Sequence, residues 1–338
     1  SLVAHDLRGP FTTILGFIQL IEKDKKNPLS KKQKGYMRWV LESSEKMLRM
    51  INEILNISRL KTGKIIPKFR FVDAKTLCDK HIAILSPLIK KKGIKLTNDL
   101  PEDLRLYADP DLFGEVIHNL LSNAVKFTKK GESISILQPK GEKTAVAVKD
   151  NGIGIRKKRL AKLFDLEEKT STTGTAGEHG TGFGLPFSQE LMKAHKGKLI
   201  VESKEGEGSS FIAILPEVLP RVLVIDDGTD IRDLLREGPC MNRIIVDEAK
   251  NGITGLKLLA KNQYHLIICD IQMEKMDGFE FLGFVRGDPK TKKIPAVLLT
   301  TDQSIETRDK AFQSGADDFL TKPIIAQDFI PRIRRILG

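Results

Sequence analysis

His118-Asn119-Leu120-Leu121-Ser122-Asn123-Ala124-Val125-Lys126 lies inside a stretch that apolar spacing predicts as a helix over about 111–126. Asn119 and Asn123 are four residues apart and share one face of that helix. Amide oxygens suit a hard cation such as Mg²⁺, which keeps waters and phosphate oxygens in its shell. Lys126 adds a positive charge for phosphates. Taken alone, two polar residues on an exposed helix face would be the simpler account.

The glycines downstream change that balance. Asp150-Asn151-Gly152-Ile153-Gly154 follows a predicted strand. A buried carboxylate there can accept from an exocyclic amine such as adenine N6, and the glycines let backbone approach the ring. Gly180-Thr181-Gly182-Phe183-Gly184-Leu185 opens a helix, whose N-terminal amides favour a phosphate. Gly206-Glu207-Gly208-Ser209-Ser210-Phe211 is a further glycine turn before a strand. Each is a weak signal alone, and the four in this order form a strong one. Residues 165–179, between Phe164 and Gly180, are small and polar with little power to form a core, and read as a mobile lid.

Around these motifs, strand-like pieces at 94–96, 134–137, 144–148, 198–202 and 210–215 alternate with helices over about 74–91, 111–126 and 184–195. The pattern predicts an α+β layer, with helices on one face of a mixed sheet. Upstream, Phe11, Ile14, Leu15, Ile18 and Ile21 place one apolar face on a helix over 2–26. Pro10 cannot donate to the carbonyl of Asp6, which predicts a bend just past His5. A second helix, about 31–60, carries Tyr36, Val40, Met47, Ile51 and Ile54 on its apolar side. Two such stripes are buried most economically by pairing with a second copy into a four-helix bundle, so a homodimer is expected.

After Pro216-Glu217-Val218-Leu219-Pro220 a strict strand–helix alternation begins. Short apolar strands at 222–225, 244–246, 265–269, 296–299 and 318–320 have the continuous hydrophobicity of buried parallel strands. Five βα units imply a doubly wound sheet. Asp226-Asp227 ends its first strand, Asp270 its third and Thr300 its fourth, and Lys322-Pro323 follows the fifth. In an open α/β sheet these strand ends meet at one crevice. Three carboxylates there would repel one another without a divalent cation among them, so Mg²⁺ is implied.

The 338 residues suit two or three domains, and a hydrophobic content of 40% suffices for real cores. No apolar run approaches the ~18 residues of a membrane span, and no signal-peptide pattern opens the chain. Cys78, Cys240 and Cys269 form neither a metal pattern nor a disulfide framework, which points to a reducing, cytoplasmic setting. Residues 221–338 balance 18 Lys and Arg against 18 Asp and Glu, so the net charge of +12 resides in residues 1–220. With only 6% aromatics and scattered lysines, a solvated surface favouring a polyanionic ligand or an acidic partner is expected rather than nucleic acid or membrane.

Residues 1–215 resemble the transmitter of a sensor histidine kinase, with a phosphoacceptor box at His5 in Ser1-Leu2-Val3-Ala4-His5-Asp6-Leu7-Arg8-Gly9-Pro10. The asparagine box falls at 119–123 and the glycine boxes at 150–154, 180–185 and 206–209. The last 118 residues resemble a response-regulator receiver domain. Together they imply a hybrid histidine kinase. Its expected parts are a dimerisation and phosphoacceptor hairpin over 1–63, a Bergerat-type ATP-binding α/β sandwich over 64–216 and a (βα)5 receiver over 217–338.

The resemblance implies His5 as nucleophile and Asp6 as general base. Asn119 would orient reactants near the γ-phosphate, Asn123 would hold Mg²⁺, Lys126 would contact phosphate and Asp150 would read adenine. Gly152, Gly154, Gly180, Gly182, Gly184 and Leu185 complete the expected nucleotide site. In the receiver it implies Asp270 as phosphoacceptor and Asp226 and Asp227 as the metal pair. Thr300 and Lys322 would contact the phosphoryl group, and Phe319 matches an aromatic switch position. A backbone carbonyl near the acceptor is a further metal ligand, with Gln272 favoured over Met273.

Family members commonly carry Thr or Asn at the position of Gly9, where the side chain helps place a water for receiver dephosphorylation. Glycine has no side chain to do so. The family's first helix normally continues upstream of the histidine, so a longer chain is expected, this part being the cytoplasmic portion of a sensor that is itself membrane-attached. A separate histidine phosphotransfer protein or response regulator is the expected external partner. Two other functions would use parts of the same pattern: a clamp ATPase of the topoisomerase or mismatch-repair type, and a non-catalytic regulatory scaffold.

Overall fold

The computed structural model describes residues 2–23, 28–165, 173–178, 181–227 and 244–337, and divides into two compact units, 1–217 and 218–338. The first unit opens with α1 (Leu2–Lys23) and α2 (Lys31–Lys61), which pack on each other. Helix α1 continues through Pro10. Helix α2 starts at a reciprocal cap. The Gln33 amide donates to Ser30 Oγ at 3.3 Å, and the Ser30 amide donates to Gln33 Oε1 at 2.9 Å. Of the apolar stripe of α1, Ile18 is buried and Ile14 and Ile21 are exposed, as are Phe17 and Leu20 outside the stripe. Tyr36, Val40, Met47 and Ile54 of α2 are exposed as well. Toward its end α2 changes partner, and Ile57 enters the core of the layer that follows.

That layer contains β1 (Arg70–Asp73), α3 (Ala74–Lys92), β2 (Lys95–Asn98), β3 (Arg105–Ala108), α4 (Pro110–Phe127), β4 (Ser133–Leu137) and β5 (Ala145–Asp150). A single-turn α5 (Lys157–Leu160), α6 (Gly184–Ala194), β6 (Lys198–Lys204) and β7 (Gly208–Ile214) complete it. The five-stranded sheet runs β2-β4-β5-β7-β6, with β2 and β4 parallel and the remaining pairs antiparallel. Alternation along β4 and β7 sends Ile134, Ile136, Phe211 and Ala213 inward, where they meet Val116, Ile117, Leu120 and Leu121 of α4 and Leu191 of α6. Asp109 sets the start of α4. Its Oδ1 accepts from the Asp111 and Leu112 amides at 3.0 Å each, and its own amide donates to buried His195 at 3.1 Å.

Sequence periodicity did not predict β1 and β3, which pair antiparallel as a separate two-stranded sheet. At four residues each they are too short for a repeat to show.

The second unit contains β8 (Arg221–Ile225), β9 (Ile245–Ala249), α7 (Gly252–Leu259), β10 (Leu266–Asp270), α8 (Gly278–Gly287), β11 (Ala296–Thr300), α9 (Ile305–Gln313), β12 (Asp318–Thr321) and α10 (Ala326–Leu337). Its strands lie in the order β9-β8-β10-β11-β12, all parallel. One face of the sheet supplies Leu223, Ile225, Ile267 and Leu298 to one core, and the other supplies Val222, Val224, Ile268 and Leu299 to a second. Burial on both faces is what a doubly wound sheet requires. Among the described residues no helix is long and apolar enough to cross a membrane.

Candidate functional sites at the ends of two sheets

A cavity of about 1270 Å³ opens in the first unit between α4, the loop after β5 and the start of α6. Asn119, Asn123, Lys126, Asp150, Gly154, Gly182, Gly184 and Leu185 all line it. Asn119 is held from below, its amide nitrogen donating to Ser188 Oγ at 3.2 Å and to the Gly184 carbonyl at 3.4 Å. One turn of helix separates it from Asn123 and two from Lys126, so a single rigid element presents all three.

Asp150 ends β5 and is only 4% exposed. Burial pushes its carboxyl up to about 6, although the amides of Gly152 and Ser209 pull the other way. The Gly152 bond is 2.9 Å. A buried carboxylate with amide donors but, among the described residues, no cation beside it suits a neutral N–H donor from a ligand such as an adenine amine.

The glycines beside Asp150 answer a need of the chain itself. A Cβ on Gly152 would stand 2.3 Å from the Phe127 carbonyl oxygen, and one on Gly154 1.9 Å from that of Lys204. Gly154 also has φ +65°. Gly152 therefore packs behind Asp150 and is not part of the cavity wall. Gly180 lies outside the described residues, as do 166–172 and 179 of the stretch expected to be a lid. His5 and Asp6 belong to α1, and their side chains lie outside the description.

Sequence reasoning missed the far wall of the cavity, which includes Arg49, Asn52, Glu53 and Asn56 of α2. Burial raises the pKa of Glu53 despite a hydrogen bond from Thr181 and the nearby Arg49. These four residues occupy two turns of α2, but only the packing of that helix brings them to the nucleotide-side loop. Burial likewise lowers the pKa of Lys126, opposed by Glu178 and reinforced by Lys46.

In the second unit Asp226, Asp227 and Asp270 each offer a carboxylate oxygen, all within 4.8 Å of one another. Lys322 Nζ reaches Asp226 Oδ2 at 2.7 Å and makes a closer contact with Asp270 Oδ2. Burial works to lower the pKa of Lys322, but the two carboxylates outweigh it and the net shift is upward. The Gln272 amide donates to Asp270 Oδ1 at 3.0 Å. Thr300 is buried at the end of β11, where its hydroxyl accepts from the Asp302 amide at 3.1 Å. Three hard oxygen donors this close fit a divalent cation such as Mg²⁺. Phe319 is half-buried and packs against the core on the Leu223 face.

One chain thus carries a nucleotide-sized cavity in one unit and a carboxylate crevice in the other. Known families match it in the same order. Residues 1–63 match the His Kinase A (phospho-acceptor) domain and residues 108–219 the histidine kinase-, DNA gyrase B- and HSP90-like ATPase. Residues 222–334 match the response regulator receiver domain. The chain belongs to the hybrid sensor histidine kinases.

Among relatives, the autoinducer 2 sensor kinase/phosphatase LuxQ of Vibrio parahaemolyticus is 29% identical over 356 residues, covering 95% of this chain and 41% of LuxQ. The sensor protein EvgS of Escherichia coli (strain K12) is 28% identical over 354 residues, covering 96% of this chain and 29% of EvgS. The chain thus spans less than half the length of these curated relatives. A crystal structure of full-length ShkA in complex with AMPPNP covers 100% of this chain and 98% of its own, with a TM-score of 0.50 and 18% identity, a likeness of fold.

Proposed function

We propose that this chain autophosphorylates His5 from ATP and then passes the phosphoryl group to Asp270. The observation that carries the proposal is the coexistence, in one histidine-kinase chain, of the Asn119–Asn123–Lys126–Asp150 cavity and the Asp226–Asp227–Asp270–Lys322 crevice. Asp150 would accept from the adenine amine, and Gly154, Gly182, Gly184 and Leu185, with Gly180 from outside the described residues, would enclose the nucleotide. Lys126 would neutralise phosphate charge, and Asn119, anchored on Ser188, would orient the reacting groups.

Phosphoryl transfer depends mainly on such positioning and charge neutralisation. A neutral imidazole nitrogen of His5 forms a bond to the γ-phosphorus while the bond to the β-phosphate oxygen breaks, releasing ADP. Asp6 takes or orients the other ring proton. An Asp270 oxygen then attacks that phosphorus, the P–N bond breaks, and Lys322 and Thr300 contact the transferred oxygens. Mg²⁺, held by Asn123 in one site and by Asp226, Asp227, Asp270 and the Gln272 carbonyl in the other, would supply charge neutralisation to both.

The functional domains are proposed to run 1–63, 64–216 and 217–338. The exposed apolar residues of α1 and α2 support a homodimer built on a four-helix bundle. A histidine phosphotransfer protein or a response regulator is the proposed external partner, and the chain is proposed to work in the cytoplasm. Incubation with γ-labelled ATP is the test. Acid-labile, base-stable label on the native chain that disappears in His5→Gln supports the kinase. Phosphate release without labelled protein supports a clamp ATPase, and absence of turnover supports a scaffold.

A further inference from the structure

Lys92, in the last turn of α3, has no role in the scheme above, yet its side chain is only 11% exposed. Its Nζ donates to the Val125 carbonyl at 2.8 Å, the Lys126 carbonyl at 3.1 Å and Thr175 Oγ1 at 2.7 Å. It also pairs with Glu178 Oε1 at 2.8 Å. The two carbonyls belong to the last turn of α4, where a helix leaves acceptors without internal partners. Thr175 and Glu178 belong to segment 173–178, part of the stretch whose composition predicted only a mobile lid.

Other bonds hold the same segment. The Thr175 amide donates to the Lys126 carbonyl at 3.0 Å, and the Thr175 hydroxyl donates to the Thr128 carbonyl at 2.8 Å. The Ala176 amide donates to Glu178 Oε2 at 2.8 Å. Lys126, the cation assigned to the phosphates, sits on the turn to which all this is tied. Glu178 acts on Lys126 electrostatically, but its ion pair is with Lys92.

We propose that Lys92 is a positioning residue for the phosphate end of the nucleotide site, pinning Thr175 and Glu178 to the end of α4 and keeping the Glu178 carboxylate off the Lys126 ammonium. The inference rests on the ATP reading of the cavity and deepens it. A carboxylate paired with Lys126 would cancel the charge that the phosphates need. Lys92 prevents this by giving Glu178 a partner whose own position is set by the helix end. Burial tends to raise the pKa of Glu178, yet the bonds from Lys92 and from backbone amides hold it below the usual range, so it stays an anion that needs a fixed partner. Asp150 lies at the end of β5, and its carboxylate takes its bonds from the Gly152 and Ser209 amides and not from the Lys92, Thr175 and Glu178 group.

The test measures binding of ATP and of adenosine, which lacks phosphates, to native chain, Lys92→Met, Glu178→Gln and the double variant. Lys92→Met is expected to weaken ATP binding about tenfold, as loss of a charged hydrogen-bond partner does, and to leave adenosine unchanged. Adding Glu178→Gln removes the competing carboxylate and is expected to restore ATP binding to within about threefold of native. Glu178→Gln alone, which tests the idea even if Lys92→Met fails to fold, should bind ATP at least as tightly as native. Equal loss of ATP and adenosine in Lys92→Met, a double variant no better than Lys92→Met, or weakened ATP binding in Glu178→Gln alone would each overturn the proposal. Failure of the native chain to bind ATP at all would instead overturn the kinase reading.

Discussion

Asp150 ends β5 buried and, among the described residues, without a cation, and burial lifts its pKa to about 6. Asp226 and Asp270 end β8 and β10 with Lys322 against both and a third carboxylate beside them. One site leaves a single acid able to meet a neutral donor. The other concentrates acids around a fixed cation, where a metal and a phosphoryl group can be balanced. Both solve the same problem, since an isolated buried charge is costly. The comparison teaches that the surroundings of a strand-end aspartate, and not the residue type, decide between base recognition and phosphate chemistry.

The sharpest way to break the contrast is Asp270→Asn. It should leave acid-labile label on His5 and abolish the base-labile acyl phosphate; unchanged base-labile label would end the relay idea. Next comes Lys322→Met, which removes the cation from the carboxylate cluster. In divalent-free buffer it should destabilise the second unit by about 3 kcal/mol, and added Mg²⁺ should recover much of that in thermal melts. If Mg²⁺ helps the native unit and the variant equally, Lys322 is not balancing those charges.

Asp150→Asn should act in the opposite direction on stability. A carboxyl whose folded pKa is raised favours the folded state at low pH, and that contribution is lost as pH rises from about 4 to about 6. Above that range the native residue carries a constant penalty, so the nucleotide-free variant should gain about 2 kcal/mol at pH 8, while its ATP binding weakens. Smallest is the pH effect on the native chain. ATP affinity should fall by up to about tenfold per unit below pH 6 as Asp150 protonates, and the Asn variant should show a flat profile in calorimetric titration.

Much of this was legible in the chain. The inner runs at 222–225, 265–269 and 296–299 could be placed because a parallel strand buried on both faces is apolar throughout, whereas the edge strands β9 and β12 carry Asp247, Glu248 and Asp318 and showed only part of that signal. The asparagine spacing worked because a helix converts four residues into one face. Gly152 was expected in the nucleotide site but lies behind the cavity wall, and both it and Gly154 answer to the carbonyls of Phe127 and Lys204, which come from distant segments. The cavity wall from α2 was illegible, because nothing in the 49–56 stretch itself indicates which helix end or loop it will meet.

Local periodicity and motif order determined the kinds of unit and the residues at their strand ends, since helix and strand repeats and strand-end positions are properties of neighbouring residues. Tertiary structure alone decided that Asp150 is uncharged more readily than an ordinary aspartate, that Lys322 is clamped between two acids and that Lys92 closes over the end of α4. Burial and charge partners come from segments tens of residues apart, and only folding sets those distances.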